Sequence, residues 1–235
     1  MKNNYYLYAR LFPTILTAIP MIVFYANVIH PIVEKNLSVV WEYLPMLTDI
    51  SVNAAFIFLL VMVNRYLSKV IFQKCYFEDE LKMPTTEWLL PNSTICDKST
   101  RNRIYQLIQK DLNIDLRKDL KSLPNENDKR KHVAQVVGII RDGLRDNTML
   151  LQHNIEYGFF RNLIGGSVLA MLFSIGIIVV STCDNDNGLL WTGIVMLGLY
   201  ILPIVLSKRI IRAHGENYAS VFFKEYESSK KSQTL

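Results

Sequence analysis

Seven polar residues within one short stretch, Gln152, His153, Asn154, Glu156, Tyr157, Arg161 and Asn162, are the densest candidates for chemistry in this 235-residue chain. At helical spacing His153, Tyr157 and Arg161 share one stripe, Gln152 and Glu156 a second, and Asn154, Gly158 and Asn162 a third. His153 and Glu156 are the residue types of an acid–base pair, yet no nucleophile accompanies them. Polar groups on nearly every face predict a helix surrounded by protein or water rather than by lipid. Two readings stay open. Either these side chains satisfy one another with Arg161 anchored among headgroups, or they form a gate or intersubunit network.

A second set is basic: Arg101, Arg103, Arg117, Lys118, Lys121, Lys129, Arg130 and Lys131. Clustered cations suit a phosphate-bearing ligand, because charge neutralisation dominates nucleic-acid affinity. The interleaved Asp115, Asp119 and Asp128 weaken that field, so a solvated face or an anionic-lipid contact competes with it. A third set lies in or beside apolar runs: Asn27, Glu34, Glu42, Asp49, Asn53, Asp184 and Asp186. Its acids would form an outer mouth, and in a symmetric oligomer such rings favour cations. Asn53 and Asn64 read as glue between helices or as pore lining.

Enzymatic signatures are missing from the sequence. There is no Gly-rich phosphate loop, H-E-x-x-H, C-x-x-C or G-x-S-x-G, and His30, His132, His153 and His214 are scattered. The expectation is a protein that is not an enzyme and uses neither metal nor cofactor. Cys75, Cys96 and Cys183 are odd in number, so no disulfide framework is expected.

The elements that must position these residues follow from how charge is segregated. Half of the residues are hydrophobic, and charges are absent from Leu11–Ile29, Ile50–Asn64, Leu163–Cys183 and Leu189–Ser207. Runs of this length approach the roughly 30 Å hydrocarbon layer at about 1.5 Å per helical residue. The fold class expected is all-α: four transmembrane helices in two hairpins, with a small cytoplasmic helical insert. Domain bounds follow as a first hairpin over 1–72, the insert over 73–162, a second hairpin over 163–207 and a cytoplasmic tail over 208–235. Lys2, Arg10, Arg65, Lys69, Lys74, Arg145, Arg161, Lys208, Arg209 and Arg212 flank the spans on one side, whereas His30–Asp49 holds only Lys35 and Asp184–Gly188 holds none. By the positive-inside rule both termini and the insert are predicted cytoplasmic. Pro13 and Pro20 within the first run, with no small-x-small site after it, favour a retained helix over a cleaved signal.

Finer expectations attach to each segment. Pro20 predicts a bend in helix one. Val33–Leu47 predicts an interfacial helix with Trp41 and Tyr43 at headgroup level, against the alternative of a structured loop. Within the insert, Lys82–Pro91 reads as extended, Ser99–Thr100 as a helix cap, and Arg117–Asn127 as a charged turn. Ile104, Leu107, Ile108 and Leu112 supply one buried stripe. Val133, Val136, Val137, Ile140 and Leu144 supply another, on a helix that feeds into Leu150 and helix three. Gly166, Ala170 and Ser174 form a small-xxx-small ridge for close helix approach. The tail, with Ile211, Tyr218, Val221, Phe222 and Tyr226, docks on the insert or on the membrane, and Ser228–Leu235 reads as loose.

The segments PTTEWLL, RNRIYQLIQKDLNIDL and NIEYGFFRNLIGG, together with this layout, resemble the small multi-pass membrane effectors of bacterial antiphage defence, the Hailong-type membrane component nearest among them. That resemblance implies a homo-oligomeric ion channel in the bacterial inner membrane, with a tetramer as the expected assembly. It also implies opening by a short DNA oligomer or nucleotide messenger made by a partner nucleotidyltransferase. The resemblance carries no binding residue over to this chain. The alternative is a non-conducting membrane scaffold or sensor that recruits a soluble partner.

Overall fold

A computed structural model describes residues 2–32, 50–78 and 81–231, and every regular element among them is helical. In chain order the principal helices are α1 (Phe12–Phe24), α2 (Ile50–Leu67), α3 (Pro84–Trp88), α4 (Lys98–Leu112), α5 (Leu116–Ser122), α6 (Glu126–Gly143), α7 (Thr148–Asp184), α8 (Asn187–Val205) and α9 (Ser207–Lys231). They fall into two compact units. One comprises Met1–Phe72 with Gly158–Lys208, the other Gln73–Tyr157 with Arg209–Leu235. The predicted interfacial segment, with Glu34, Glu42 and Asp49, lies outside the described residues, and Asn53 falls on α2.

Four helical stretches are long and apolar enough to cross a membrane: Asn4–Ile32, Ala54–Phe77, Thr148–Asp184 and Asn187–Val205. Their outward residues are apolar, with Leu59, Trp191, Val195, Leu199 and Val205 each more than half exposed. Such a surface is suited to hydrocarbon and fits a multi-pass membrane protein. The first stretch is α1 prolonged by π turns at Leu7–Leu11 and Tyr25–Ile29. Each π turn is centred four residues before a proline, on Ala9 before Pro13 and on Asn27 before Pro31. The ring of a proline crowds the carbonyl four residues back and removes its donor, which widens the helix there.

The predicted ridge on helix three is buried, with Ala170 and Ser174 fully enclosed. A Cβ on Gly176 would stand 3.0 Å from Phe24, and one on Gly193 of α8 would stand 2.8 Å from Ile178, so glycine is what lets these helices approach. Between α7 and α8 the chain turns through Asn185 in the left-handed region (φ 56°), and Asp186 caps α8 by accepting from Leu189 N at 3.0 Å.

The second unit is held by a water-type core. Ile104 and Ile108 of α4, Val133, Val136, Val137 and Ile140 of α6, and Phe222, Phe223 and Tyr226 of α9 are buried together. The two predicted stripes thus meet, with Leu107 and Leu112 only partly buried at the margin. Several local expectations are corrected. The cap of α4 is Asp97, accepting from Thr100 N at 2.8 Å, rather than Ser99 or Thr100. The charged turn contains the helix α5, because Asp115 accepts from Lys118 N at 3.1 Å while Leu116 and Leu120 enter the core. The segment read as extended contains α3, which Pro84 starts by lending its fixed φ to the first turn.

α6 does not run into helix three: Leu144 ends it, and Asn147 opens α7 by accepting from Leu150 N at 2.9 Å. The tail forms α9 as far as Lys231, docked in the core, with Lys230 Nζ at 2.7 Å from Asp111 and Tyr226 Oη donating to Asp111 at 3.0 Å, while 232–235 lie outside the described residues. Burial, reinforced by the facing Asp111 carboxylate, pushes the Tyr226 hydroxyl well above the usual phenol range.

Candidate functional site

Pro13 and Pro20, two of the prolines in the membrane unit, leave carbonyls that its interior must satisfy. Pro13 has no N–H for Ala9 O, and Pro20 has none for Leu16 O, so two helical carbonyls lose their ordinary donor. Hydrocarbon offers no water to replace it, and an unpaired carbonyl there is costly. Each carbonyl is met by a side chain from a later helix. Asn162 Nδ2 of α7 donates to Ala9 O at 2.6 Å, and Tyr200 Oη of α8 donates to Leu16 O at 2.5 Å. Helix one is thereby bonded to both helices of the later apolar pair at its own backbone gaps.

The Asn162 end of this arrangement continues as a network. Ser68 Oγ donates to Asn64 O at 2.5 Å and lies 3.4 Å from Asn162 Oδ1; the shorter contact takes the single hydroxyl proton. Asn64 Nδ2 donates to Thr14 Oγ1 at 3.2 Å and Thr17 Oγ1 at 3.1 Å. Those hydroxyls donate in turn to Arg10 O and Pro13 O, each at 2.9 Å. Asn64, Ser68 and Asn162 are no more than 3% exposed, so the bonds are made without solvent.

Two adjacent glycines make room for the network. A Cβ on Gly165 would collide with Ser68 Oγ and stand 2.6 Å from Asn64 O; one on Gly166 would collide with Thr17 Oγ1 and stand 2.7 Å from Asn64 Nδ2. Beside it lies a cavity of about 10 Å³ lined by Thr14, Thr17, Leu60, Asn64, Leu169 and Phe173. Its volume is that of about one water.

None of these groups titrates near neutral pH, so the network is suited to holding or releasing helix one rather than to proton transfer. Among the described residues no group of three or more His, Cys, Asp or Glu stands in a metal-holding cluster.

The seven polar residues singled out on the coupling stretch all lie on α7, but they divide between the two units. His153 Nδ1 stands 3.7 Å from Glu156 Oε2, Gln152 is exposed, Asn154 is half-buried and Tyr157 is buried. Arg161 is half-buried, and Asn162 alone of the seven enters the membrane network. Asn27 turns back on its own helix, donating to Val23 O at 2.9 Å, while Asp184 and Asp186 are exposed.

The basic residues are spread over α4, α5 and α6, and four have internal partners. Arg101 is buried and donates to Ser93 O at 3.2 Å; Arg103 Nε lies 3.0 Å from Glu227. Arg117 donates to Asn102 at 2.8 Å, and Arg130 donates to Leu81 O at 3.1 Å between Glu87 and Glu126. Lys118, Lys121 and Lys131 are exposed, and Lys129 is half-buried. Thr14, Thr17, Ser68 and Tyr200 escaped the sequence reading. For Tyr200 the signal was the position four residues before Pro20, which announces a carbonyl in need of a donor; no local pattern marked Thr14, Thr17 or Ser68.

No protein-family model, curated protein sequence or solved structure matches the chain.

Proposed function

We propose that this protein is a homo-oligomeric ion channel of the bacterial inner membrane, an antiphage effector opened by a short DNA or nucleotide messenger at its helical insert. In this reading the spans form two hairpins, the termini and insert are cytoplasmic, a tetramer surrounds the pore, and a partner nucleotidyltransferase makes the messenger. One observation carries the coupling: α7 is a single helix from Thr148 to Asp184, so the backbone enters the apolar span without an intervening loop. Four residues past Gly158, where α7 joins the first unit, Asn162 grips the carbonyl that Pro13 leaves free. A shift or rotation of α7 would therefore act on helix one directly. The resemblance of PTTEWLL, RNRIYQLIQKDLNIDL and NIEYGFFRNLIGG to antiphage effectors supports the ligand class and the oligomer.

The test is flux through vesicles holding the purified protein, with short DNA oligomers and nucleotides added on the insert side beside a working control channel. Flux that needs one ligand and falls with Asn162→Leu is expected. Silence under every ligand, with the control open, rejects the channel.

A scaffold that recruits a soluble partner is the second reading, and one observation favours it. The polar side chains inside the bundle are engaged internally: Ser167 on Leu163 O at 2.7 Å, Ser174 on Ala170 O at 2.8 Å and Ser181 on Ile178 O at 3.0 Å, besides the Asn64 network. Stable co-purification of a partner without flux would select this reading.

A further inference from the structure

A cleft of about 230 Å³ opens in the helical unit between the start of α4 and the last turns of α9. Trp88, Ile104 and Phe223 give it apolar walls, and the indole of Trp88 stacks on Phe223 with ring centres 5.5 Å apart. Its charged residues are unequally occupied. Asp97 is committed to capping α4, and Glu227 is held by Arg103 at 3.0 Å and Lys231 at 3.0 Å. The Lys224 ammonium and the Ser220 hydroxyl have no hydrogen bond or ion pair with any described residue, and Trp88 Nε1 is buried without an acceptor. The exposed ammonium and the half-buried hydroxyl can donate to a ligand in the cleft, the ammonium can only donate, and the indole N–H is enclosed beside them. Cys96, a buried lining residue, is a neutral thiol, its pKa raised by burial, and adds no negative charge.

We propose that this cleft binds a small organic anion: a flat apolar body against Trp88, Ile104 and Phe223, with its carboxylate or phosphate on Lys224 and Ser220 beside Arg103. A donor surplus above apolar walls selects a ligand that brings acceptors and a planar face, and a charge-assisted bond to an otherwise unpaired ammonium supplies the specificity. The occupant would bridge α4 to α9, and α9 begins two residues after the span helix α8 ends. Its role as a gating ligand rests on the channel reading; its binding chemistry rests on the cleft alone.

The test uses the full chain in lipid nanodiscs, labelled with 5-fluorotryptophan, with the Trp88 fluorine resonance assigned by Trp88→Phe. The probes are adenosine 5′-monophosphate and benzoate, with adenosine and inorganic phosphate as half-ligands. A saturable shift of the Trp88 resonance by an organic anion is expected, weakened about tenfold or more by Lys224→Gln and less by Ser220→Ala. A response to the nucleotide alone identifies a phosphate ester, and a response to benzoate alone a carboxylate. No saturable shift with either anion, an equal response to adenosine, or unchanged affinity in Lys224→Gln overturns the proposal. Saturable binding in a protein that shows no flux would remove the channel and leave the cleft. Ligand-opened flux with no response at Trp88 would do the reverse.

Discussion

The membrane unit and the helical unit differ in what they bury beside their apolar residues and in what they expose. In the helical unit the buried residues are Ile104, Ile108, Val136, Phe222 and their neighbours, and lysines such as Lys118 and Lys121 face outward. In the membrane unit Thr14, Thr17, Asn64, Ser68, Asn162 and Ser174 are buried, while Leu199 and Val205 are exposed. The difference lies in the solvent rather than in the chain. Water drives apolar side chains together, whereas lipid tails are as apolar as leucine and leave close packing and hydrogen bonds to hold helices.

Truncating a side chain in each unit breaks this comparison most sharply. Phe222 is fully buried, and Phe222→Ala should lower stability by about 3–5 kcal/mol through lost transfer energy and a cavity. Val195 is 59% exposed on α8, and Val195→Ala should change stability by no more than about 0.5 kcal/mol. Reversible unfolding in detergent micelles reads both. Comparable losses would mean that Val195 faces another protein surface rather than lipid.

The hydrogen bonds of the membrane unit offer a test with an internal control. Asn162→Leu strands Ala9 O and should cost about 1–3 kcal/mol, since a buried acceptor loses its partner. Pro13→Ala returns an N–H to the same carbonyl, so most of that loss should vanish when the two changes are combined. Additive effects in the cycle would show that Asn162 acts by packing. Tyr200→Phe should cost less, about 1 kcal/mol, because Tyr200 is half-buried, and Pro20→Ala should offset it in the same way.

How far the sequence could be read depends on which interactions are local. Charge segregation located the four apolar helices, and the 3.6-residue stripes at Ile104 and Val133 located the insert core, because both patterns lie within one element. Caps proved harder: Ser99 and Thr100 are good cap types, but Asp97 has an ionised acceptor and takes the position two residues earlier. The Asn64 network was legible only as an intramembrane amide in need of a partner, since Thr14 and Asn64 are bonded across 50 positions in sequence. Arg101 and Arg130 looked like ligand cations because sequence cannot show that Ser93 O and Leu81 O already occupy them.

The smallest expected effect separates the units by pH. His214 on α9 is half-buried, and burial lowers its pKa below the ordinary 6.5; nearby His153 acts in the same direction and Glu156 opposes it. The folded state therefore favours the neutral ring. Above about pH 6.5 His214 is neutral in both states and its contribution is fully present. As pH falls, the unfolded chain takes up the proton first, and stability is lost until the pH has passed the depressed folded value. Unfolding midpoints measured from about pH 7.5 to 5.5 should fall further in the parent protein than in His214→Gln. An identical slope in the two proteins would assign the acid sensitivity to other groups. The membrane network holds no group that titrates in this range, so the stability gap between Asn162→Leu and its parent should stay constant across the same window. A gap that closes on acidification would mean that a titratable group reaches that network, and the two units would no longer respond separately.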